Sequence, residues 1–114
     1  INNGTFVLEN LDVPILKTYY SYNLNPSEIN LSPAYPNPFN PQTIIKINAQ
    51  TPIKNVLAKI YNSNGQQVSI IYSGPMAAGL NTFLWEPKNI ASGIYLLVIQ
   101  TPFSLQSQKL LYLK

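Results

Sequence analysis

Apolar and polar side chains alternate with a period of two along most of the chain after Pro41. In residues 43–49, Ile45 and Ile47 lie on one face, and Lys46 lies between them on the other. Such alternation is typical of strands with one buried face, whereas no stretch shows the 3.6-residue period of a helix. The pattern predicts six strands, at residues 43–49, 56–61, 67–73, 80–85, 94–101 and 107–113.

Turn residues separate these predicted strands. Asn64-Gly65 tolerates the positive φ values of a tight hairpin, so we expect a hairpin between the second and third strands. Gly74, Pro75 and Gly79 border the next loop. Short strands with turns between them indicate an all-β, antiparallel β-sandwich. We expect one face of the third strand to carry Val68, Ile70 and Tyr72.

The strand at residues 94–101 is the most apolar, with large side chains on both faces. One face carries Ile94, Leu96 and Val98, and the other carries Tyr95, Leu97 and Ile99. A sheet of a sandwich buries only one of its faces. One apolar set is therefore expected to be exposed, unless the N-terminal region or a partner covers it.

Four prolines interrupt the alternation in residues 31–41, Leu-Ser-Pro-Ala-Tyr-Pro-Asn-Pro-Phe-Asn-Pro, which we call the proline segment. Each proline fixes φ and lacks a backbone N–H, so the segment is neither a helix nor a central strand. Asn37 and Asn40 can hydrogen-bond the nearby backbone. We expect a stiff segment with Phe39 as a buried anchor at one end of the core, and Trp85 buried between the sheets.

Residues 1–30 contain two more strand-like runs, at residues 5–8 and 14–20. Tyr19, Tyr20 and Tyr22 make this region too aromatic for a disordered tether. We expect a partly extended segment or linker that is ordered against a domain formed by residues 31–114; the alternative is the tail of a preceding domain. Because there is neither an initiator Met nor a signal-peptide pattern, we expect a C-terminal piece of a longer protein.

The net charge of +3 comes from seven scattered lysines, without any arginine. Nucleic-acid-binding proteins usually cluster their basic residues and use arginine for bidentate contacts, so we expect no nucleic-acid partner. No stretch approaches the roughly 20 apolar residues that a membrane helix needs. We therefore expect no membrane-spanning segment.

The side chains offer little for catalysis or metal binding. The chain has no histidine and no cysteine, so a serine has no imidazole to activate it and zinc has no nitrogen or sulfur ligands. The four carboxylates are not spaced for acid–base catalysis; a calcium site at Glu9 and Asp12 is conceivable, but two solvated carboxylates are the favoured interpretation. We expect no enzyme, and no catalytic, metal-binding or cofactor-binding residues.

Several motifs follow one another in order from residue 35 to the end of the chain. They are Tyr35-Pro36-Asn37-Pro38-Phe39-Asn40-Pro41, Thr43-x-Ile45-x-Ile47, Ile60-Tyr61-Asn62-x-x-Gly65-Gln66-x-Val68, Ala78-Gly79, Trp85, Ala91-Ser92-Gly93-Ile94-Tyr95 and Gln108-Lys109-Leu110-Leu111. This set strongly resembles the C-terminal sorting domain of the type IX secretion system (Por secretion system type A) in its Ig-like form, which is similar to the Ig-like domain of the flagellar hook-capping protein. The resemblance covers residues 31–114 and implies an Ig-like β-sandwich of about seven strands.

The resemblance also implies a function and partners. Such a domain directs a cargo protein, fused to its N-terminal side, from the periplasm through an outer-membrane translocon, for release or surface attachment. Sorting and cleavage machinery acts at the outer membrane. The resemblance makes residues 1–30 the cargo-side segment. At this place the family usually has a flexible linker, which is cleaved. The implied recognition residues are Pro36, Asn37, Pro38, Phe39, Asn40, Pro41, Gly65, Gly93, Tyr95, Lys109, Leu110, Leu111, Leu113 and Lys114.

Two hypotheses about surfaces follow. The second apolar face of residues 94–101, with Lys109 and Lys114 nearby, indicates that this strand and the last one form the docking surface. The alternative is an Ig-like structural or adhesive module, retained on a cell-surface protein, that binds carbohydrate or a neighbouring domain. Its platforms are expected to be Tyr20, Tyr22 and Tyr72.

Overall fold

The structure, a computed structural model, describes residues 28–114. Within this range it contains seven strands and no helix: β1 (Ile29–Leu31), β2 (Thr43–Ala49), β3 (Ile53–Asn62), β4 (Gln67–Met76), β5 (Gly79–Trp85), β6 (Gly93–Gln100) and β7 (Leu105–Tyr112). The strand-like runs at residues 5–8 and 14–20, the carboxylates Glu9 and Asp12, and the expected packing of the cargo-side segment lie outside the described residues.

The strands form two sheets that enclose one core. One sheet has the order β1-β2-β5 and the other β4-β3-β6-β7, and every pairing is antiparallel. The chain crosses from one sheet to the other after β2, β4 and β5. This arrangement confirms the prediction of an all-β antiparallel sandwich.

Alternate residues of the central strands point into the core. On β2, every second side chain from Thr43 to Ala49 is buried. Burial of a large aliphatic side chain contributes about 1.5–3 kcal/mol, so the period-two pattern places most of the stabilising surface between the sheets. The corresponding buried positions on β3 and β6 are Val56, Ala58, Ile60, Tyr95, Leu97 and Ile99.

β1 is a strand that the alternation does not predict. Its three residues are too few to show a period, and its pairing with β2 defines it: Ile29 lies opposite Ala49 and is buried. Among residues 28–114, β1 lies at the edge of its sheet, in agreement with the exclusion of the proline segment from central strands. Within the same range, β1 is the first strand of the sandwich, and it begins before the proline segment.

The sequence predicts that Val68, Ile70 and Tyr72 share one face of β4, and this prediction is wrong for Tyr72. Tyr72 pairs with Ala58 and Ile70 pairs with Lys59, so one extra β4 residue lies between the two pairs. This irregularity shifts the alternation. Ile70 faces outward and is 53 % exposed, whereas Tyr72 packs against the core, 5.3 Å from Phe83 between ring centroids.

Candidate functional site

The proline segment lies along the outer edge of β7 and is bonded to it. The Asn37 side-chain amide donates to the carbonyl of Lys109, and its oxygen accepts from the N–H of Leu111, both at 2.9 Å. The N–H of Phe39 donates to the carbonyl of Leu111 at 2.9 Å, and the N–H of Leu113 donates to the carbonyl of Phe39 at 3.1 Å. Because prolines lack an N–H, the Asn37 side chain makes bonds that a strand's backbone would otherwise make.

Two glutamines of β7 extend this contact between the proline segment and β7, which we call the seam. Gln108 accepts from the N–H of Ala34 at 2.5 Å and donates to the carbonyl of Ser32 at 2.9 Å. Gln106 donates to the carbonyl of Ile29 at 3.1 Å. β1 and the proline segment are therefore joined to β7 along this side. The structure thus brings together two groups of predicted recognition residues that are about 70 positions apart in the chain.

Phe39 fills one end of the core, as predicted. Its ring is 2 % exposed and lies 5.2 Å from the ring of Tyr112 and 5.5 Å from that of Trp85, between centroids. Trp85, also buried, meets Tyr95 edge to face at 5.6 Å. The Tyr95 hydroxyl donates to the carbonyl of Ala91 at 2.6 Å. This aromatic cluster of four rings joins the proline segment to β5, β6 and β7.

The predicted recognition residues differ in exposure. Gly65 lies in the β3–β4 turn, and Asn62, at the end of β3, pairs with Tyr95, so the turn is at the same end of the sandwich as the aromatic cluster. The buried residues cannot contact a partner in the folded domain, so any part they have in recognition is indirect. Exposed are Pro36, Asn37, Pro38, Asn40, Pro41, Gly65, Lys109, Leu113 and Lys114; Gly93 and Leu111 are half-buried; Phe39, Tyr95 and Leu110 are buried.

The second apolar face predicted for residues 94–101 is exposed on the four-stranded sheet. Ile94 and Leu96 are 49 % and 41 % exposed, and Val98 is half-buried. Cα partners in neighbouring strands point to the same side of a sheet. We call the resulting surface the outer sheet face. Across the strands, Val98 lies beside Lys59, which lies beside Ile70. Leu96 lies between Tyr61 and Lys109, and Ile94 lies beside Leu111.

The outer sheet face is positively charged as well as apolar. Lys59 and Lys109 are its charged residues. Residues 28–114 contain six lysines and two carboxylates, and both carboxylates lie elsewhere: Glu28 precedes β1 and Glu86 follows β5. An exposed apolar patch with charge of one sign is suited to a protein partner of the opposite sign.

Sequence reasoning assigned no structural role to three residues that hold the site together, although two of them, Thr43 and Gln108, belong to the motifs. The hydroxyl of Thr43, which is fully buried, donates to the carbonyl of Pro36 at 2.7 Å. Gln106 and Gln108 occupy the face of β7 that, nearer its end, buries Leu110. Polar residues at inward positions of an edge strand are the signal that points to such a seam, because buried polar groups need partners.

Possible reactive or membrane features are limited in the described residues. In residues 28–114, no three His, Cys, Asp or Glu side chains form a possible metal site. Over the same range, no helix has the length and hydropathy to cross a bilayer.

Comparison with known proteins agrees with the sequence motifs. A family model described as "Secretion system C-terminal sorting domain" matches residues 33–112, which is more than half of the chain. Among curated proteins, none matches this chain. The matched region extends from the proline segment to the last residue of β7 and so includes both sides of the seam.

Proposed function

Because this chain belongs to the family of secretion system C-terminal sorting domains, we propose that the outer sheet face and the exposed part of β7 are what the secretion machinery recognises. The family is a sorting signal for type IX secretion, so the domain directs its cargo across the outer membrane, for release or surface attachment. It is a family of signals, not known for catalysis.

One observation carries the proposal of a recognition surface. The outer sheet face exposes Ile94, Leu96 and Ile70 together, and contiguous exposed apolar patches mark interaction sites, whereas single exposed apolar residues do not. Lys59 and Lys109 lie among them. A partner with an apolar centre and acidic residues around it is complementary to this surface.

The seam and the aromatic cluster have a supporting part in this proposal. A sorting signal is read on unrelated cargo, so the surface has to be kept in shape by the domain itself. Phe39, Tyr95 and Leu110 do this from the core, while Asn37 holds β7 in place from outside. Recognition by the exposed residues 36–38 and 113–114 then extends the surface around the end of β7.

The partners and the route follow from the same proposal. The machinery is the outer-membrane type IX translocon with its sorting and cleavage components, and the cargo is fused on the N-terminal side. The protein passes through the periplasm and ends as a secreted or cell-surface product. The adhesive alternative requires Tyr72 as an exposed platform. Its ring packs on Phe83 instead, and its hydroxyl donates to the carbonyl of Pro75. The comparisons also give no support to that alternative.

A matched pair of leucines tests the surface. Leu96 and Leu84 are 41 % and 54 % exposed, and they lie on the outer sides of opposite sheets. Leu96→Asp in the domain, fused to a reporter, should weaken binding about tenfold, which is about 1.4 kcal/mol, and should lower the secreted fraction accordingly. Leu84→Asp should be secreted like the parent.

Both variants are first checked for folding by thermal melting. If Leu96→Asp is folded and secreted normally, the outer sheet face is not the recognition surface. Equal loss in both variants would also contradict the proposal. Deletion of residues 109–114 is a poorer test, because it removes Leu110 and Tyr112 from the core, and loss of secretion would then not distinguish lost recognition from lost folding.

A further inference from the structure

The outer sheet face continues along β3 into a polar pocket. Leu57, Lys59 and Tyr61 face the same side of the sheet, because they alternate with buried residues of β3. Leu57 lies opposite Ser73 of β4 and opposite Gln100 of β6. These last three residues belong to a pocket of about 300 Å³ whose lining carries no charge. The lining consists of Asn55, Leu57, Ser73, Gln100, Thr101 and Pro102.

An apolar depression adjoins this pocket at the start of β3. Lys54 lines the depression, and the next residue, Asn55, lines the pocket. The depression has a volume of about 570 Å³. Ile53 and Met76 pair across β3 and β4 and are 5 % and 3 % exposed, so they form its floor. The full lining is Pro52, Ile53, Lys54, Pro75, Met76 and Ala77.

The outward residues of β3 from Lys54 to Tyr61, with the two cavities beside them, form one continuous surface, which we call the β3 strip. Toward one end, Lys59 lies beside the exposed side chain of Ile70. At the other end, Lys54 borders the apolar depression. The two lysines are five residues apart in the chain, which is about 16 Å along a strand. The β3 strip therefore has a cation with apolar surface on each side of an uncharged polar pocket.

We propose that an extended peptide segment of the secretion machinery binds along the β3 strip. This inference rests on the proposed function, because it names the kind of partner that the outer sheet face receives. An acidic residue toward each end of the segment is complementary to Lys54 and Lys59. Apolar side chains next to these acidic residues fill the depression at one end and cover Ile70 at the other.

The polar pocket suits the main chain in the middle of such a segment. A carboxamide side chain both donates and accepts hydrogen bonds, as a backbone peptide group does. Within the domain, the Asn37 carboxamide already bonds in this way to the carbonyl of Lys109 and to the N–H of Leu111. Asn55 and Gln100 are exposed, so they offer the same groups to the backbone of a partner.

A second copy of this domain is a poorer occupant than a peptide of the machinery. The lysines of the β3 strip need carboxylates opposite them, and two copies of the strip would place lysines against lysines. The two carboxylates of residues 28–114 are already bonded within the domain, Glu28 to the hydroxyl of Thr101 and Glu86 to the ammonium of Lys88. The described part of a second copy thus offers no unbonded carboxylate.

Photo-crosslinking in secreting cells tests the extended segment. Benzoylphenylalanine replaces Asn55 or Tyr61 in the full chain fused to a reporter, and replaces the exposed Thr82 on the opposite sheet as a control. Asn55 and Tyr61 are six residues apart, about 20 Å along β3. Both should crosslink to one continuous stretch of a single partner chain, at sites about five to seven residues apart. The control position should not crosslink to this stretch.

Three crosslinking results would overturn the inference. Crosslinks from Asn55 and Tyr61 to separate stretches would mean a folded partner surface, and crosslinks to this same domain would mean a second copy. A strip without any crosslink from Asn55 does not extend beyond the outer sheet face. The outer sheet face itself is judged separately, by the secretion of Leu96→Asp.

Charge reversal gives a second readout. Lys54→Glu changes one end of the β3 strip and leaves the outer sheet face intact. It should lower the secreted fraction of the reporter at least about threefold, whereas Lys46→Glu, the same change at an exposed position of β2, should be secreted like the parent. Thermal melting confirms that both variants fold. Normal secretion of Lys54→Glu, or equal loss in both variants, contradicts the inference; if Leu96→Asp alone blocks secretion, the proposed function stands without the β3 strip.

Discussion

The side-chain oxygen of Asn37 accepts a hydrogen bond from the backbone N–H of Leu111 at 2.9 Å, although the two residues are 74 positions apart. A side chain therefore stands where a neighbouring strand would bond to β7. Exposed strand edges tend to pair with other chains. Here Asn37 and Phe39 satisfy the outward backbone groups of Lys109, Leu111 and Leu113. The proline segment thus protects the terminal strand from edge-to-edge association.

Asn37→Ala should lower the free energy of unfolding by about 1–2 kcal/mol, because it removes two hydrogen bonds to β7. Urea denaturation measures this loss, and hydrogen exchange should become faster at the amide of Leu111. Asn48→Ala, on the exposed side of β2, is the control and should change stability by less than about 0.5 kcal/mol. Equal losses in the two variants would mean that the Asn37 bonds do not hold the strand.

Phe39→Ala should destabilise the domain by about 3–5 kcal/mol, because it empties a site between Trp85 and Tyr112. Urea unfolding followed by the fluorescence of Trp85 reports the change. Phe103 is 79 % exposed, so Phe103→Ala should be nearly neutral. A loss near zero for Phe39→Ala would mean that the ring does not anchor the proline segment.

Thr43→Val keeps the shape of a buried side chain and removes its hydroxyl, which donates to the carbonyl of Pro36. We expect a loss of about 1–2 kcal/mol, because a partly buried carbonyl is left without that donor. Thr82→Val, at an exposed position of β5, serves as the control in the same thermal melts. No difference between them would show that water replaces the hydroxyl.

Gly65 has a φ of +83° at the end of a turn in which its N–H donates to the carbonyl of Asn62 at 3.0 Å. Gly65→Ala should cost about 1–2 kcal/mol, since an L side chain is strained in this region. Gly65→Asn should cost less, because asparagine tolerates positive φ. Chemical denaturation of both variants decides the order; if alanine is tolerated as well as asparagine, backbone strain is not the reason for glycine here.

The period-two pattern predicts the strands well because burial of one face leaves a direct mark on the sequence. Ile45 and Ile47 are both fully buried, as their alternation with Lys46 implies. The exposed apolar face of β6 also follows from the pattern, since a sandwich buries only one face of each sheet. The same reasoning fails at Tyr72, because one extra residue in β4 shifts the alternation and local sequence does not mark that irregularity.

By itself, the sequence determined the fold class, the family and the anchoring role of Phe39. These follow from alternation, from motifs in order and from the backbone limits of proline, all of which act over a few residues. Only the tertiary structure decided that Asn37 bonds to β7 and that Gln108 bonds to Ser32 and Ala34. Such contacts join residues more than 70 positions apart. They form only when the sheets pack and bring these residues together, and this packing produces no periodic pattern in the sequence.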